Sequence, residues 1–153
     1  MVSLAMKISD FLSSTDVTTD VVASDKQQLL AELARKAGSV LDLPPDYILS
    51  ELVKREELGS TGMGGGVAIP HARLHQVNKP SGMLARLRKP IDFDAVDGKP
   101  VDTVVLLLLP DAPDGDRLGA LACIARKLRD PAIIAALRRA RDGAEIYRTL
   151  TAD

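Results

Sequence analysis

The chain has 153 residues, a net charge of −1 with both histidines neutral, and a hydrophobic fraction of 46%. That length predicts one domain with a proper core. A slightly acidic balance with only 3% aromatics offers neither a basic surface nor stacking platforms, which excludes a nucleic-acid binder. One cysteine, Cys123, excludes an internal disulfide, suits a reducing compartment and reads as a small buried hydrophobe. The start, Met1 to Lys7, lacks a basic stretch followed by a sustained apolar one, so no signal peptide is expected. The most apolar run, Val104 to Leu109, is too short to cross a bilayer. A cytoplasmic chain without membrane insertion is the expectation, with residues 1–6 a loose extension before a domain over 7–153.

Leu29, Leu30, Leu33, Ala34 and Ala37 recur at helical spacing after Ser24-Asp25, which can cap the start, and Gly38 can end the helix. A second helix is predicted from Pro45 to Arg55, with proline in its first turn and Ile48, Leu49 and Leu52 inward. Val67-Ala68-Ile69 and Met83 to Leu87 read as strands, and Ile91 to Lys99 as an irregular connection turning at Asp97-Gly98. Val101 to Leu109 is apolar nearly throughout, which predicts a central strand covered on both faces. Helices are predicted over Asp116–Leu128, Pro131–Ala140 and Gly143–Leu150, the first turning Leu118, Leu121, Ala122, Ala125 and Leu128 to one face. Strands alternating with helices give an α/β (α+β) single domain, a central mixed β-sheet flanked by helices on both sides.

The most informative stretch is Gly62-Met63-Gly64-Gly65-Gly66-Val67-Ala68-Ile69-Pro70-His71-Ala72. Proline fixes its own φ and biases the preceding residue toward extended geometry, so His71 is expected at a strand exit rather than on a helix face. Glycines let backbone N–H groups approach an anion. Imidazole titrates near pH ~6.5, so much of it is neutral and nucleophilic in the cell. Together these residues suit phosphate carried on nitrogen. Phosphoryl transfer needs an in-line nucleophile and donors on the equatorial oxygens, which arginine supplies as a planar fork.

Glu56, Met63-Gly64 and Val67-Ala68-Ile69-Pro70-His71-Ala72 resemble the phosphorylation-site motif of the fructose/mannitol-type enzyme IIA of the phosphoenolpyruvate-dependent phosphotransferase system. Met6 to Leu12, Lys54 to Leu58, Pro90 to Asp102 and Ala122 to Asp130 are similar to its nitrogen-regulatory branch, EIIA-Ntr, so the resemblance spans the chain. It implies that His71 accepts a phosphoryl group from an HPr-like carrier (NPr). It implies too that the phosphorylation state is read by regulated proteins such as sensor kinases, potassium transport or stringent-response proteins. The arginine that sits at the family's site matches Arg55. The expected phosphate-holding groups are Arg55, the backbone N–H groups of Gly64, Gly65 and Gly66, and Arg117, with no metal or other cofactor.

One departure stands out. Many relatives carry a second histidine in a His-Leu-x-x-Leu pattern, where this chain reads Arg117-Leu118-Gly119-Ala120-Leu121. Arginine stays charged and cannot shuttle a proton, though it can hydrogen-bond a phosphoryl group. The departure counts against the alternative function, a sugar-specific IIA passing phosphate to a IIB domain.

Other readings are weaker. His71 and His75 stand i, i+4, but His-Ala-Arg-Leu-His lacks the glutamate of zinc-binding helices and no third His or Cys ligand is at hand. Gly59 to Gly66 ends without the Lys-Ser/Thr of a nucleotide loop. His75 and Arg73 read as solvated surface. Arg126, Lys127, Arg129, Arg138, Arg139 and Arg141 read as the outer face of two helices, with a docking face for acidic partners as the weaker alternative.

Overall fold

The computed structural model describes residues 6–111 and 115–152. After short 3-10 turns at Ile8–Asp10 and Ser14–Asp16 come β1 (Val17–Val21), α1 (Lys26–Leu41), α2 (Pro45–Glu57), β2 (Gly62–Gly64), β3 (Val67–Ala68) and β4 (His71–Leu74). There follow β5 (Ser81–Ile91), β6 (Val101–Pro110), α3 (Gly115–Leu128), α4 (Pro131–Arg139) and α5 (Gly143–Thr151). The described strands form one mixed sheet in the order β1-β5-β6-β3-β2, with β4 also paired to β6. The β5–β6 and β2–β3 pairs are antiparallel; β1–β5, β3–β6 and β4–β6 are parallel. This is the α/β sheet with helices on both faces that the alternating pattern predicts.

The two faces are written along β6. Val104, Leu106 and Leu108 pack with α1 and α2 through Leu29, Leu33, Ile48 and Leu52. Val105, Leu107 and Leu109 pack with the C-terminal helices through Ala120, Ile124, Leu137, Ile146 and Leu150. Successive side chains of a strand point to opposite faces, so a strand covered twice must be apolar at every position.

Local chemistry sets the helix starts. Asp25, Asp130 and Asp142 accept from the backbone N–H groups of Gln28, Ala132 and Glu145, as capping residues do. Pro45 begins α2, where its missing N–H has no partner to lose.

Several expectations change. Helix α1 does not stop at Gly38 but runs to Leu41 and ends on Asp42, in the left-handed conformation at φ 57°. Gly38 is needed for proximity instead: a Cβ there would lie 2.6 Å from the Leu43 carbonyl oxygen. In α3 the inward seam is Ala120, Ile124 and Leu128, while Ala122 is exposed and Leu118 is 64% exposed. The seam advances every fourth residue; of the predicted face Leu128 lies on it, and Leu121 and Ala125 flank it, half-buried against the same core. Strands β1, β2 and β4 were not foreseen, because β1 carries a pairing irregularity and β2 and β4 are only three and four residues long. Cys123 is half-buried and donates to the Met6 carbonyl oxygen at 3.3 Å, so Met6 is seated on α3. Residues 1–5, the rest of the expected extension, lie outside the described residues.

Candidate functional site

His71 opens β4 rather than leaving a strand. Val67–Ala68 pairs with Thr103–Val104 of β6, and His71 pairs further along the same strand with Leu107. Ile69-Pro70 is therefore a joint between two segments on one partner, and the Leu107 N–H donates to the Pro70 carbonyl at 3.0 Å. Proline has no N–H to contribute to a ladder, which is why the strand breaks there.

That joint fixes the imidazole. His71 Nδ1 lies 2.8 Å from the Ile69 carbonyl oxygen. A carbonyl only accepts, so the proton of the neutral ring sits on Nδ1 and the lone pair on Nε2. Arg55, on the last turn of α2, points its Nε at His71 Nε2 over 3.3 Å and donates from Nη1 to the Gly59 carbonyl at 2.9 Å. Burial holds the His71 pKa below the ordinary imidazole value, opposed by the Ile69 hydrogen bond, aided by the Arg55 charge and opposed again by Glu56. Desolvation disfavours the cation. The ring is neutral, with its nucleophilic nitrogen aimed at a guanidinium.

Both residues line an open hollow of about 530 Å³. Lys54 and Arg73 add two more cations to its wall, Glu51 (paired with Lys54 at 3.1 Å) and Asp111 add two carboxylates, and Leu58, Leu109, Leu118 and Leu121 give it apolar sides. Leu58 is 84% exposed. Sequence reasoning did not find this rim. The available signal was a bulky leucine at each of two polar helix ends, Leu58 after Glu56-Glu57 and Leu118 after Asp116-Arg117.

The structure does not bring Gly64, Gly65 and Gly66 to His71. They form the tip of the β2–β3 hairpin, with φ of 97°, 68° and 85°, conformations that favour glycine. The Gly65 N–H donates to Asp97 Oδ2 at 3.0 Å and its carbonyl accepts from Arg138 Nη2 at 2.7 Å. The Gly66 carbonyl accepts from the N–H groups of Asp102 and Thr103. A Cβ on Gly66 would stand 2.1 Å from Arg138 Nη2. These glycines make a turn and admit an arginine; the motif's spacing along the chain does not become proximity to the histidine.

Arg117 falls in the first turn of α3, and its side chain lies outside the described residues. Arg73 is exposed and His75 projects to solvent, where its Nδ1 lies 3.0 Å from Asp111 Oδ2. Because His71 and His75 are on and after a strand, the helical i, i+4 geometry does not exist. Among the described residues no group of three or more His, Cys, Asp or Glu side chains comes together as a metal site. Arg138, read above as part of the outer face of a helix, bonds Asp102 at 3.0 Å and the Gly65 carbonyl. Among the described residues, no helix is long and apolar enough to cross a membrane.

A neutral imidazole presenting Nε2 to arginine at the mouth of a basic hollow, on a mixed sheet with helices on both faces, marks a phosphotransfer component. The chain belongs to the family described as "Phosphoenolpyruvate-dependent sugar phosphotransferase system, EIIA 2", whose model matches residues 10–153. The nitrogen regulatory protein of Bradyrhizobium diazoefficiens is 43% identical over 145 residues, 95% of each chain. The crystal structure of nitrogen regulatory protein IIA-Ntr from Neisseria meningitidis superposes with a TM-score of 0.89 at 34% identity, covering 94% of this chain and 99% of that one. IIA mannitol from Escherichia coli shares the fold at 16% identity, with a TM-score of 0.76 over 91% and 98% of the two chains. These relatives favour the nitrogen-regulatory reading over the sugar-specific one.

Proposed function

We propose that this chain is a phosphohistidine carrier of a nitrogen-related phosphotransferase system, taking a phosphoryl group on His71 Nε2 from an HPr-like donor (NPr) and acting on regulated proteins according to its phosphorylation state. The observation that carries this reading is the pair of contacts on one ring: Nδ1 on the Ile69 carbonyl and Nε2 facing Arg55.

In the step proposed, the Nε2 lone pair attacks phosphorus, the Nε2–P bond forms, and the bond to the donor's nitrogen breaks with its electron pair leaving on that nitrogen. No proton leaves His71. The proton stays on Nδ1, which donates to the Ile69 carbonyl, so the phosphorylated ring carries positive charge and remains a good leaving group for a later acceptor. Arg55 moves from the Nε2 lone pair to the equatorial oxygens, a fixed donor where negative charge is held. Lys54 and Arg73 add longer-range attraction from the wall of the hollow. The Gly64–Gly66 amides take no part in this step, since the hairpin tip does not line the hollow and the Gly65 N–H is bonded to Asp97.

Phosphorylation places about two negative charges on the phosphoryl oxygens, by analogy with other phosphorylated side chains, against the single positive charge of the ring. Placed among Arg55, Lys54 and Arg73, the phosphoryl group offsets much of the local positive charge while the apolar rim stays in place, so that a partner docking over Leu58 and Leu118 meets two different surfaces. Regulated proteins of the kinds named above, sensor kinases, potassium transport and stringent-response proteins, would read that difference.

The test is intact-protein mass after incubation with a phosphorylated HPr-like donor, for the native chain and for His71→Ala. The reading requires one acid-labile gain of ~80 Da, the mass of one added phosphoryl group, in the native chain alone. Equal labelling of both proteins, or of neither, ends it.

A further inference from the structure

Beneath the hollow lies a polar cluster that the phosphoryl step does not itself touch. The Glu56 carboxylate, 6% exposed, meets Lys26 Nζ at 2.9 Å. The same carboxylate accepts the Thr61 N–H at 3.1 Å, and its other oxygen accepts the Thr61 hydroxyl. Thr61 is itself buried, at 8% exposure. Lys26 begins α1, Glu56 is in the last turn of α2, and Thr61 stands just before β2, so three elements converge on one carboxylate.

The cluster leads to the nucleophile from both sides. On one side Glu56 follows Arg55 directly, so anchoring Glu56 fixes the helix turn that aims the guanidinium at Nε2. On the other side the Thr61 carbonyl accepts the Ile69 N–H at 3.0 Å, and the Ile69 carbonyl in turn holds His71 Nδ1. An isolated ion pair that merely tied α1 to α2 would need neither link.

We propose that Glu56 and Thr61, held by Lys26, are positioning residues that set the tautomer and aim of the His71 imidazole. Burying a carboxylate is costly unless it is paired and fully hydrogen-bonded, and this one is both. Thr61 presents its hydroxyl and N–H to Glu56 and its carbonyl to Ile69, so the anchored carboxylate fixes the peptide on which the ring's proton depends. A misplacement of about 1 Å in a reacting group costs on the order of a hundredfold in rate. The inference rests on the phosphohistidine reading for its rate readout, but not for its tautomer readout.

The decisive comparison is Thr61→Val, which keeps the branched shape and removes the hydroxyl, against Thr61→Ser, which restores it. Imidazole nitrogen shifts in histidine-labelled protein report where the proton sits. Native and Thr61→Ser proteins are expected to hold His71 with the proton on Nδ1, and Thr61→Val to mix in the Nε2-protonated form. Phosphoryl acceptance is expected to fall roughly 10- to 100-fold in Thr61→Val and to recover in Thr61→Ser. Glu56→Gln, close in shape but uncharged, repeats the test with the expected loss in the same direction should Thr61→Val not fold. A native tautomer and native rate in the folded variants overturn the proposal. If the native chain accepts no phosphoryl group, the functional reading fails, and the tautomer comparison still decides the positioning role.

Discussion

Arg55 meets His71 through one nitrogen and the Gly59 carbonyl through another, so its fork is held at both ends. Lysine keeps the charge but loses that planar set of donors. Arg55→Lys should therefore slow phosphoryl acceptance about 100-fold, the scale on which one fixed donor to a developing oxyanion counts; single-turnover labelling measures it, and a native rate refutes the assignment. His71 gives a prediction in pH. Its folded pKa lies below the unfolded value of ~6.5, because burial disfavours the charged ring. The corresponding stability is complete above ~6.5 and is lost as pH falls through that value toward the folded pKa, since the unfolded chain binds the proton first. His71→Gln removes this contribution. Denaturant unfolding at pH 7.5 and 5.5 should show a smaller acid-side loss in His71→Gln than in the native protein; equal losses contradict the assignment.

At the scale of elements, periodicity made α1, α2 and the three C-terminal helices legible, and the Val101–Leu109 run made β6 legible as a doubly covered strand. His71 was legible from the glycines and Ile69-Pro70 before it, and Arg55 through the family resemblance. What the sequence hid was proximity. Gly64 to Gly66 lie close to His71 along the chain, but β3 and β4 take successive positions on β6 and carry the hairpin tip away from the ring. Strand β1 was hidden by a pairing irregularity between Thr18 and Val21, which spoils its alternation. Gly38 was read as a stop because glycine commonly follows a helix, whereas here it lets the Leu43 carbonyl approach. That reassignment is testable. Alanine gains about 1 kcal/mol in helix propensity over glycine, but a Cβ 2.6 Å from backbone forces overpacking worth about 1–3 kcal/mol. Gly38→Ala should lower the melting temperature; a rise would restore the simpler reading. At the hairpin tip, Arg138→Ala should cost about 1 kcal/mol or less, because the Asp102 pair is partly exposed, and leave phosphoryl acceptance unchanged.

Across the whole molecule, β6 is the common wall of two cores. Leu106 and Leu107 are both fully buried, one in each. Replacing either by alanine should cost about 2–5 kcal/mol in chemical denaturation. A cost below 1 kcal/mol for one of them would mean that its layer collapses easily around the gap. The same strand has a consequence in time. His71 is seated only when Leu107 is beside it, and β1 finds its partner only when Leu84 has arrived. Chains grow from the N-terminus at about 5–20 residues per second. A nascent chain that has passed the histidine therefore waits for some seconds without its central strand. During that interval the chain holds a histidine with no seat, so the family's residues are present before the acceptor exists.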